Sequence, residues 1–95
     1  MKNKTTPLTI TKASTDSEVE KLFELKLVIY NDDVNTFQHV IHCLMVYCKH
    51  SLEQAEQCAN IIHYKGKYEV KNGSFKALKP IAKALLENNL RVKIE

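Results

Sequence analysis

The apolar and polar positions of the chain divide it into short segments with two different periods. The first segment, Lys26 to Tyr30, is a run of β-forming apolar residues that stops at Asn31-Asp32-Asp33. A run of this kind, ended by good turn formers, predicts a strand followed by a turn. The last segment, Leu90 to Glu95, alternates apolar and polar residues, which predicts a half-buried strand.

Three further segments carry apolar residues at steps of three and four, which predicts amphipathic helices. Their apolar faces are Phe37, Val40, Ile41, Leu44, Met45 and Cys48 in the first helix, Ala55, Cys58, Ala59 and Ile62 in the second, and Leu78, Ile81, Ala82, Leu85 and Leu86 in the third. Thr36, Ser51 and Ser74 precede these helices at N-cap positions, and Gly66 ends the second. The third helix has two possible starts. It begins directly after Ser74, with Pro80 inside it, or it begins at Pro80 itself.

A short strand from Tyr68 to Val70, before a turn at Asn72-Gly73, completes the order β-α-α-β-α-β. We therefore predict an α+β fold in which a small three-stranded antiparallel sheet has three helices packed on one face. Residues 1–25 are rich in Thr, Lys, Ser, Asp and Glu. We predict a mobile N-terminal extension there and a single core domain over residues 26–95.

The amino-acid composition and charge exclude some classes of function. The 95 residues fit one small domain, and a hydrophobic fraction of 44% with 26% charged residues is that of an ordinary globular chain. The net charge of +3 comes from lysines scattered among glutamates, so we expect no nucleic-acid partner. No apolar run reaches the roughly 20 residues of a membrane helix, and no signal peptide is visible. The three cysteines suit reduced core residues, so we expect a cytoplasmic protein. We also expect a monomer.

Two adjacent carboxylates after the first strand repel each other unless a cation uses them. If the first two helices form a hairpin on the sheet, His63 returns to the Asn31-Asp32-Asp33 turn. An ammonium group has three donors, and carboxylate, amide and neutral imidazole acceptors satisfy it. The apolar residues one helical turn away are Phe37, Val40, Ala59 and Ile62. These residues together suit an α-amino group that carries an apolar side chain.

The stretch VIYNDDVNTFQHVIHCL, followed by IIHYKGK, resembles the ClpS family, the adaptors of the ATP-dependent Clp proteases. In that family a strand leads into Asn-Asp-Asp and then into a helix with an apolar residue in its first turn. Further along, another helix ends in a His, with a Gly shortly after it. The matching residues here are Asn31, Asp32, Asp33, Phe37, His63 and Gly66.

The resemblance implies an adaptor without enzymatic activity. Such adaptors bind proteins that begin with Leu, Phe, Tyr or Trp, and deliver them to a Clp AAA+ ATPase that feeds a peptidase. The implied amine-binding residues are Asn31, Asp32, Asp33 and His63. The implied hydrophobic pocket consists of Asn35, Phe37, Val40, Ala59, Ile62 and Leu90. No catalytic residue, metal or cofactor is implied, and the N-terminal extension would engage the ATPase.

The chain departs from the family pattern at several positions. Asn35 stands where the family often has Thr, and Phe37 and Ala59 stand where it often has Met. Phe37 is bulkier than Met at the mouth of the pocket, and Ala59 is smaller than Met on its wall. The sequence therefore does not determine which N-terminal side chain is preferred. Residues 68–78 lack the family's Cys-Gly-Val run, so no residue is assigned to docking on the ATPase.

Three alternatives remain from the residues themselves. His39, His42 and Cys43 crowd one stretch of helix and include a pair with metal-ligand spacing. A cysteine near Asp33 and His63 would suggest nucleophilic catalysis. The same fold also occurs in the C-terminal domain of a ribosomal stalk protein, so the third alternative is a protein-interaction domain that recognises no N-terminal amine.

Overall fold

The computed structural model describes residues 24–95 of the chain. Its elements are β1 (Leu25–Tyr30), α1 (Phe37–Tyr47), α2 (Leu52–Lys65), β2 (Lys67–Gly73), α3 (Phe75–Glu87) and β3 (Arg91–Ile94). This α+β order, β-α-α-β-α-β, confirms the predicted fold class. The extension predicted over residues 1–25 lies outside the described residues, apart from Glu24 and Leu25.

The three strands form one antiparallel sheet in the order β2-β1-β3, so β1 is its central strand. Leu27 pairs with Lys71 while Val28 pairs with Glu69, which leaves Val70 as an extra residue on β2. An extra residue of this kind is a β-bulge, and it bends the strand that carries it. β2 is longer than the predicted strand, because it continues through the expected turn to Gly73.

The helix boundaries follow the predicted caps. The cap side chains accept hydrogen bonds from backbone N–H groups three residues on, in the pairs Thr36–His39 at 3.0 Å, Ser51–Gln54 at 3.1 Å and Ser74–Ala77 at 3.1 Å. Gly66 ends α2 with φ at 91°, a left-handed conformation that glycine adopts without steric cost. α3 begins directly after Ser74, so Pro80 lies inside it and cannot donate to the carbonyl one turn earlier.

The hydrophobic core lies between the helices and one face of the sheet. Its largest fully buried side chains are Leu27, Ile29, Leu44, Leu78 and Leu85, together with Cys43 and Cys48. The three cysteines are buried and free. Burial raises the pKa of Cys48 to about 11, so this thiol stays protonated and packs as a small apolar group.

Three residues assigned to the apolar helix faces are exposed instead: Phe37, Met45 and Leu86. Met45 keeps 38% of its surface accessible, because the buried face of α1 centres on Cys43 and Leu44 and turns Met45 away. Leu86 keeps 53% accessible, because it lies at the edge of the buried stripe of α3, which consists of Leu78, Ala82 and Leu85. Between residues 24 and 95, no helix combines the length and the apolar character that crossing a membrane requires.

Candidate functional site

The end of β1 and the end of α2 meet directly. The backbone N–H of Asn31 donates a 2.8 Å hydrogen bond to the carbonyl of Gly66. This bond holds the Asn31-Asp32-Asp33 turn beside the last turn of α2, where His63 lies. The helix hairpin on the sheet therefore places the acidic turn and the histidine at one rim, as the sequence predicted.

A cavity of about 430 Å³ opens at this rim. Its lining consists of Asn31, Asp32, Asp33, Asn35, Thr36, Phe37, Val40, Ala59, Ile62 and His63. The volume falls in the range of small-ligand sites. The structure thus brings nine of the ten predicted site residues to one cavity. Thr36 was predicted only as a helix cap, and it adds a hydroxyl to the lining.

Leu90 does not line this cavity. It is buried and borders a neighbouring void of about 20 Å³, behind Asn35, Val40 and Ile62. It therefore supports the cavity wall from behind and offers no surface to a ligand in the open part.

The two aspartates have different environments. Oδ1 of Asp32 accepts 2.8 Å hydrogen bonds from the backbone N–H groups of Val34 and Asn35, and Oδ2 accepts one of 2.9 Å from the Asn35 side chain. Asp33 is exposed and, among residues 24–95, receives no hydrogen bond and forms no ion pair. Asp32 therefore shapes the turn, while the carboxylate of Asp33 is open to an incoming cation.

Asn35 connects the turn to the far end of the domain. Its side-chain amide donates both to Asp32 and, over 2.8 Å, to the carbonyl of Asn89 between α3 and β3. The ring nitrogen Nε2 of His39 donates over 2.9 Å to the neighbouring carbonyl of Asn88. The connection between α3 and β3 therefore braces the site, a role that no local sequence pattern indicated for Asn88 or Asn89.

The walls of the cavity are apolar. Ala59 and Ile62 on α2 are each 3% exposed, and Val40 on α1 is half-buried. Phe37 stands at the mouth with 39% of its surface accessible. A side chain that enters the cavity thus meets aliphatic groups on both helices and an aromatic ring at the entrance.

His63 completes the polar rim from α2. Its side chain is exposed, and its ring lies edge-on to the ring of Tyr64 at a centroid distance of 5.2 Å. Among residues 24–95 the ring nitrogens of His63 make no hydrogen bond, so either can face a ligand at the rim. Acceptors from Asn31, Asp33 and His63 over an apolar cavity can bind a cationic amine that carries an apolar group.

The residues behind the alternative hypotheses lie elsewhere. His39 is half-buried against Asn88, rather than on the solvated side, and its Nε2 is 3.6 Å from Sγ of Cys43. No group of three His, Cys, Asp or Glu side chains with metal-site geometry occurs within residues 24–95. Cys58 is 7% exposed, does not line the cavity, and has a pKa raised by burial.

Removing the Asn35 side chain tests the organisation of the turn. Hydrogen bonds hold the pKa of Asp32 below the ordinary range of an aspartate; the backbone N–H of Asn35 contributes most, and its side chain contributes less. We expect Asn35→Ala to raise this pKa while leaving it below the ordinary range. Because the native pKa is lowered, this contribution to stability is present above the ordinary pKa and is lost as the pH falls through the native value. A carbon-detected NMR titration of Asp32 measures the shift, and an unchanged pKa would contradict the prediction.

A protein-family model matches most of the chain, and three known proteins match parts of it. The model of the family described as ATP-dependent Clp protease adaptor protein ClpS matches residues 20–93. Three cyanobacterial proteins named ATP-dependent Clp protease adapter protein ClpS are similar to it. The protein from Thermosynechococcus vestitus is 45% identical over 42 residues, which are 43% of this chain and 45% of the relative.

The other two matches are longer. The Nostoc protein is 37% identical over 60 residues, which are 61% of this chain and 62% of the relative. The Synechocystis protein is 38% identical over 52 residues, which are 53% of each chain. The chain thus spans about half the length of the curated relatives it matches.

Proposed function

Because the chain belongs to the ClpS family of Clp protease adaptors, we propose that it binds proteins with a bulky hydrophobic N-terminal residue and delivers them to a Clp AAA+ ATPase and its peptidase. In this role it is a cytoplasmic monomer without catalytic activity of its own. The observation that supports the proposal is a cavity that joins a polar rim to apolar walls.

The rim would bind the α-amine of the substrate. Asp33 supplies a carboxylate that no other described group uses, and Asn31 and His63 supply neutral acceptors beside it. An ammonium at this point would direct its three donors to three different side chains. Asp32 contributes through the turn it holds, since its oxygens already accept three hydrogen bonds.

The cavity would hold the first side chain of the substrate. About 430 Å³ exceeds the volume of a leucine and is compatible with an aromatic ring. Ala59 leaves space at the wall, and Phe37 offers a ring face or edge at the mouth. We infer a preference for Leu, Phe, Tyr or Trp over small or charged N-terminal residues.

A reconstituted degradation assay tests delivery. A reporter that begins with Leu should be degraded faster by a Clp ATPase and its peptidase when this chain is present, while the same reporter beginning with Lys should not respond. Asp33→Asn, which keeps the size of the side chain and removes its charge, should abolish the acceleration. Equal acceleration of both reporters would contradict selection by the N-terminal residue.

Acid should weaken substrate binding through His63. A neutral imidazole nitrogen accepts from an ammonium, whereas the protonated ring can only donate and adds a repelling positive charge. We expect affinity for a Leu-initiated peptide to fall as the pH is lowered, because protonation removes this acceptor. Fluorescence anisotropy measures the change.

Two variants locate the pH effect. His63→Gln keeps an acceptor that does not titrate, so its binding should vary much less with pH. His42→Gln removes an exposed histidine from α1, away from the cavity, and should leave the pH dependence intact. A profile that His63→Gln leaves unaltered would show that another group causes it.

A further inference from the structure

The outer edge of β3, which pairs with no other strand among residues 24–95, and the surface beside it form a second distinct feature of the domain. β3 lies at the edge of the sheet, because the strand order is β2-β1-β3. A cavity of about 290 Å³ follows this edge. Its lining consists of Tyr30, Leu86, Leu90, Arg91, Val92 and Lys93. We call this surface the β3 edge; it is separate from the amine-binding rim, and neither the family name nor the proposed function assigns it a role.

The ladder between β1 and β3 determines which backbone groups face outward. Lys26 and Glu95 exchange both backbone hydrogen bonds, each 2.8 Å long. Such pairs alternate along an antiparallel ladder, so Lys93 and Arg91 also direct their backbone groups toward β1. The N–H and C=O groups of Val92 therefore point away from the sheet, where an added strand would pair with them.

The side chains beside this edge are apolar on one face of the sheet. Val92 lies on the side that carries the helices, opposite buried Ile29. Leu86, at the end of α3, borders the same cavity and keeps 53% of its surface accessible. An apolar side chain from an added strand would cover both residues.

The opposite face of the sheet is positively charged around Tyr30. Lys67 and Lys93 each place Nζ 5.5 Å from the centroid of the Tyr30 ring. Arg91 pairs with Tyr30 across the ladder and so lies on the same face. Within residues 24–95 these three cations form no ion pair, and the nearby carboxylate of Glu95 accepts from the Tyr30 hydroxyl.

These charges select the kind of strand that can pair here. Two copies of β3 side by side would bring Arg91 and Lys93 of one against the same cations of the other, which disfavours a dimer through this edge. The other edge strand, β2, carries the bulge at Val70, which makes its outer edge irregular. β3 is therefore the regular edge, and its charge complements an acidic strand.

We propose that the β3 edge binds an extended acidic segment of a partner protein, which adds to the sheet as a further strand. Side chains alternate along a strand, so the segment alternates two classes of residue. Its acidic residues face Arg91 and Lys93, and its apolar residues cover Leu86 and Val92. Backbone pairing provides affinity, and the alternating side chains provide specificity.

An acetylated peptide of about eight residues that alternates glutamate and valine is the probe, since acetylation keeps it out of the amine site. We expect saturable binding to the full chain by anisotropy, weakening as salt is added. An otherwise identical peptide with lysine in place of glutamate should not bind. A peptide of the same composition with its glutamates in one block should bind less well. Equal binding of all three peptides would overturn the proposal.

Variants of the chain test whether the peptide binds at the β3 edge. Arg91→Glu with Lys93→Glu should lower affinity by about tenfold or more, through reversed charge at two contacts. Lys79→Glu with Lys83→Glu makes the same charge change on the exposed side of α3 and should have a small effect. If both pairs weaken binding equally, the attraction is only a matter of net charge and the proposal fails.

Val92→Pro tests the backbone pairing. Proline removes an N–H that faces away from the sheet, so the strand can keep its ladder to β1. Peptide binding should be lost while thermal unfolding and binding of a Leu-initiated peptide persist. Val92→Thr keeps the N–H and should bind the acidic peptide. If the proline variant does not fold, the variant with Arg91→Glu and Lys93→Glu still tests the proposal independently.

Discussion

A peptide that begins with a free leucine or phenylalanine will lose about 100-fold or more in affinity for this chain when its amine is acetylated. Acetylation removes the positive charge and leaves one N–H in place of three donors. Hydrogen bonds to a charged group contribute about 1.5–3 kcal/mol each, so the loss of two accounts for the change. Fluorescence anisotropy with peptides that differ only at the N-terminus measures it.

A variant at the rim shows where the amine binds. Asp33→Ala should strongly lower the affinity for the peptide with a free amine. It should leave the weak binding of the acetylated peptide nearly unchanged, because only the free amine binds to that carboxylate. Glu56→Gln removes an exposed carboxylate on α2 that does not line the cavity and should affect neither peptide. Similar binding of free and acetylated peptides would mean that the acidic turn is only a turn. The domain would then be a protein-interaction domain that recognises no N-terminal amine.

Local signals in the sequence were sufficient for the elements that carry the site. Thr36 and Ser51 cap helices because a short side-chain oxygen can reach a backbone N–H three residues on, and that geometry needs no tertiary information. The spacing of Ala59 and Ile62 fixed the buried face of α2. The same pattern put His63 at the end of the helix, directly after Ile62, and the assumed helix hairpin on the sheet then brought it to the rim.

Contacts between segments far apart in the chain could not be predicted from the sequence pattern. The hydrogen bond from Asn35 to Asn89 joins residues 54 positions apart, and neither residue signals the other. Asp32 and Asp33 are chemically identical in the sequence, and only the fold of the turn gives one of them three donors. Met45 lies at helical spacing, but its exposure depends on how α1 is rotated against the sheet, which periodicity does not determine closely.

Filling the cavity from its wall should separate the side-chain site from the amine site. Ala59→Phe places a ring in the volume that the first side chain of a substrate would occupy. Burial of such a side chain contributes about 1.5–3 kcal/mol, so peptides that begin with Phe, Tyr or Trp should lose roughly 10- to 100-fold in affinity. A Leu-initiated peptide needs less of the cavity and should lose less. Anisotropy with the four peptides measures the order.

The fold should tolerate this change, because Ala59 borders an open cavity and the added ring extends into it rather than into the packed core. The thermal unfolding midpoint should therefore stay close to that of the parent chain. Asn60→Phe adds the same ring one residue later on α2, where the side chain is exposed and does not line the cavity, and its affinities should match the parent's. If Ala59→Phe folds and still binds Trp-initiated peptides with full affinity, the first side chain lies outside the cavity. The amine would then bind at the rim without the apolar walls that the proposed function requires.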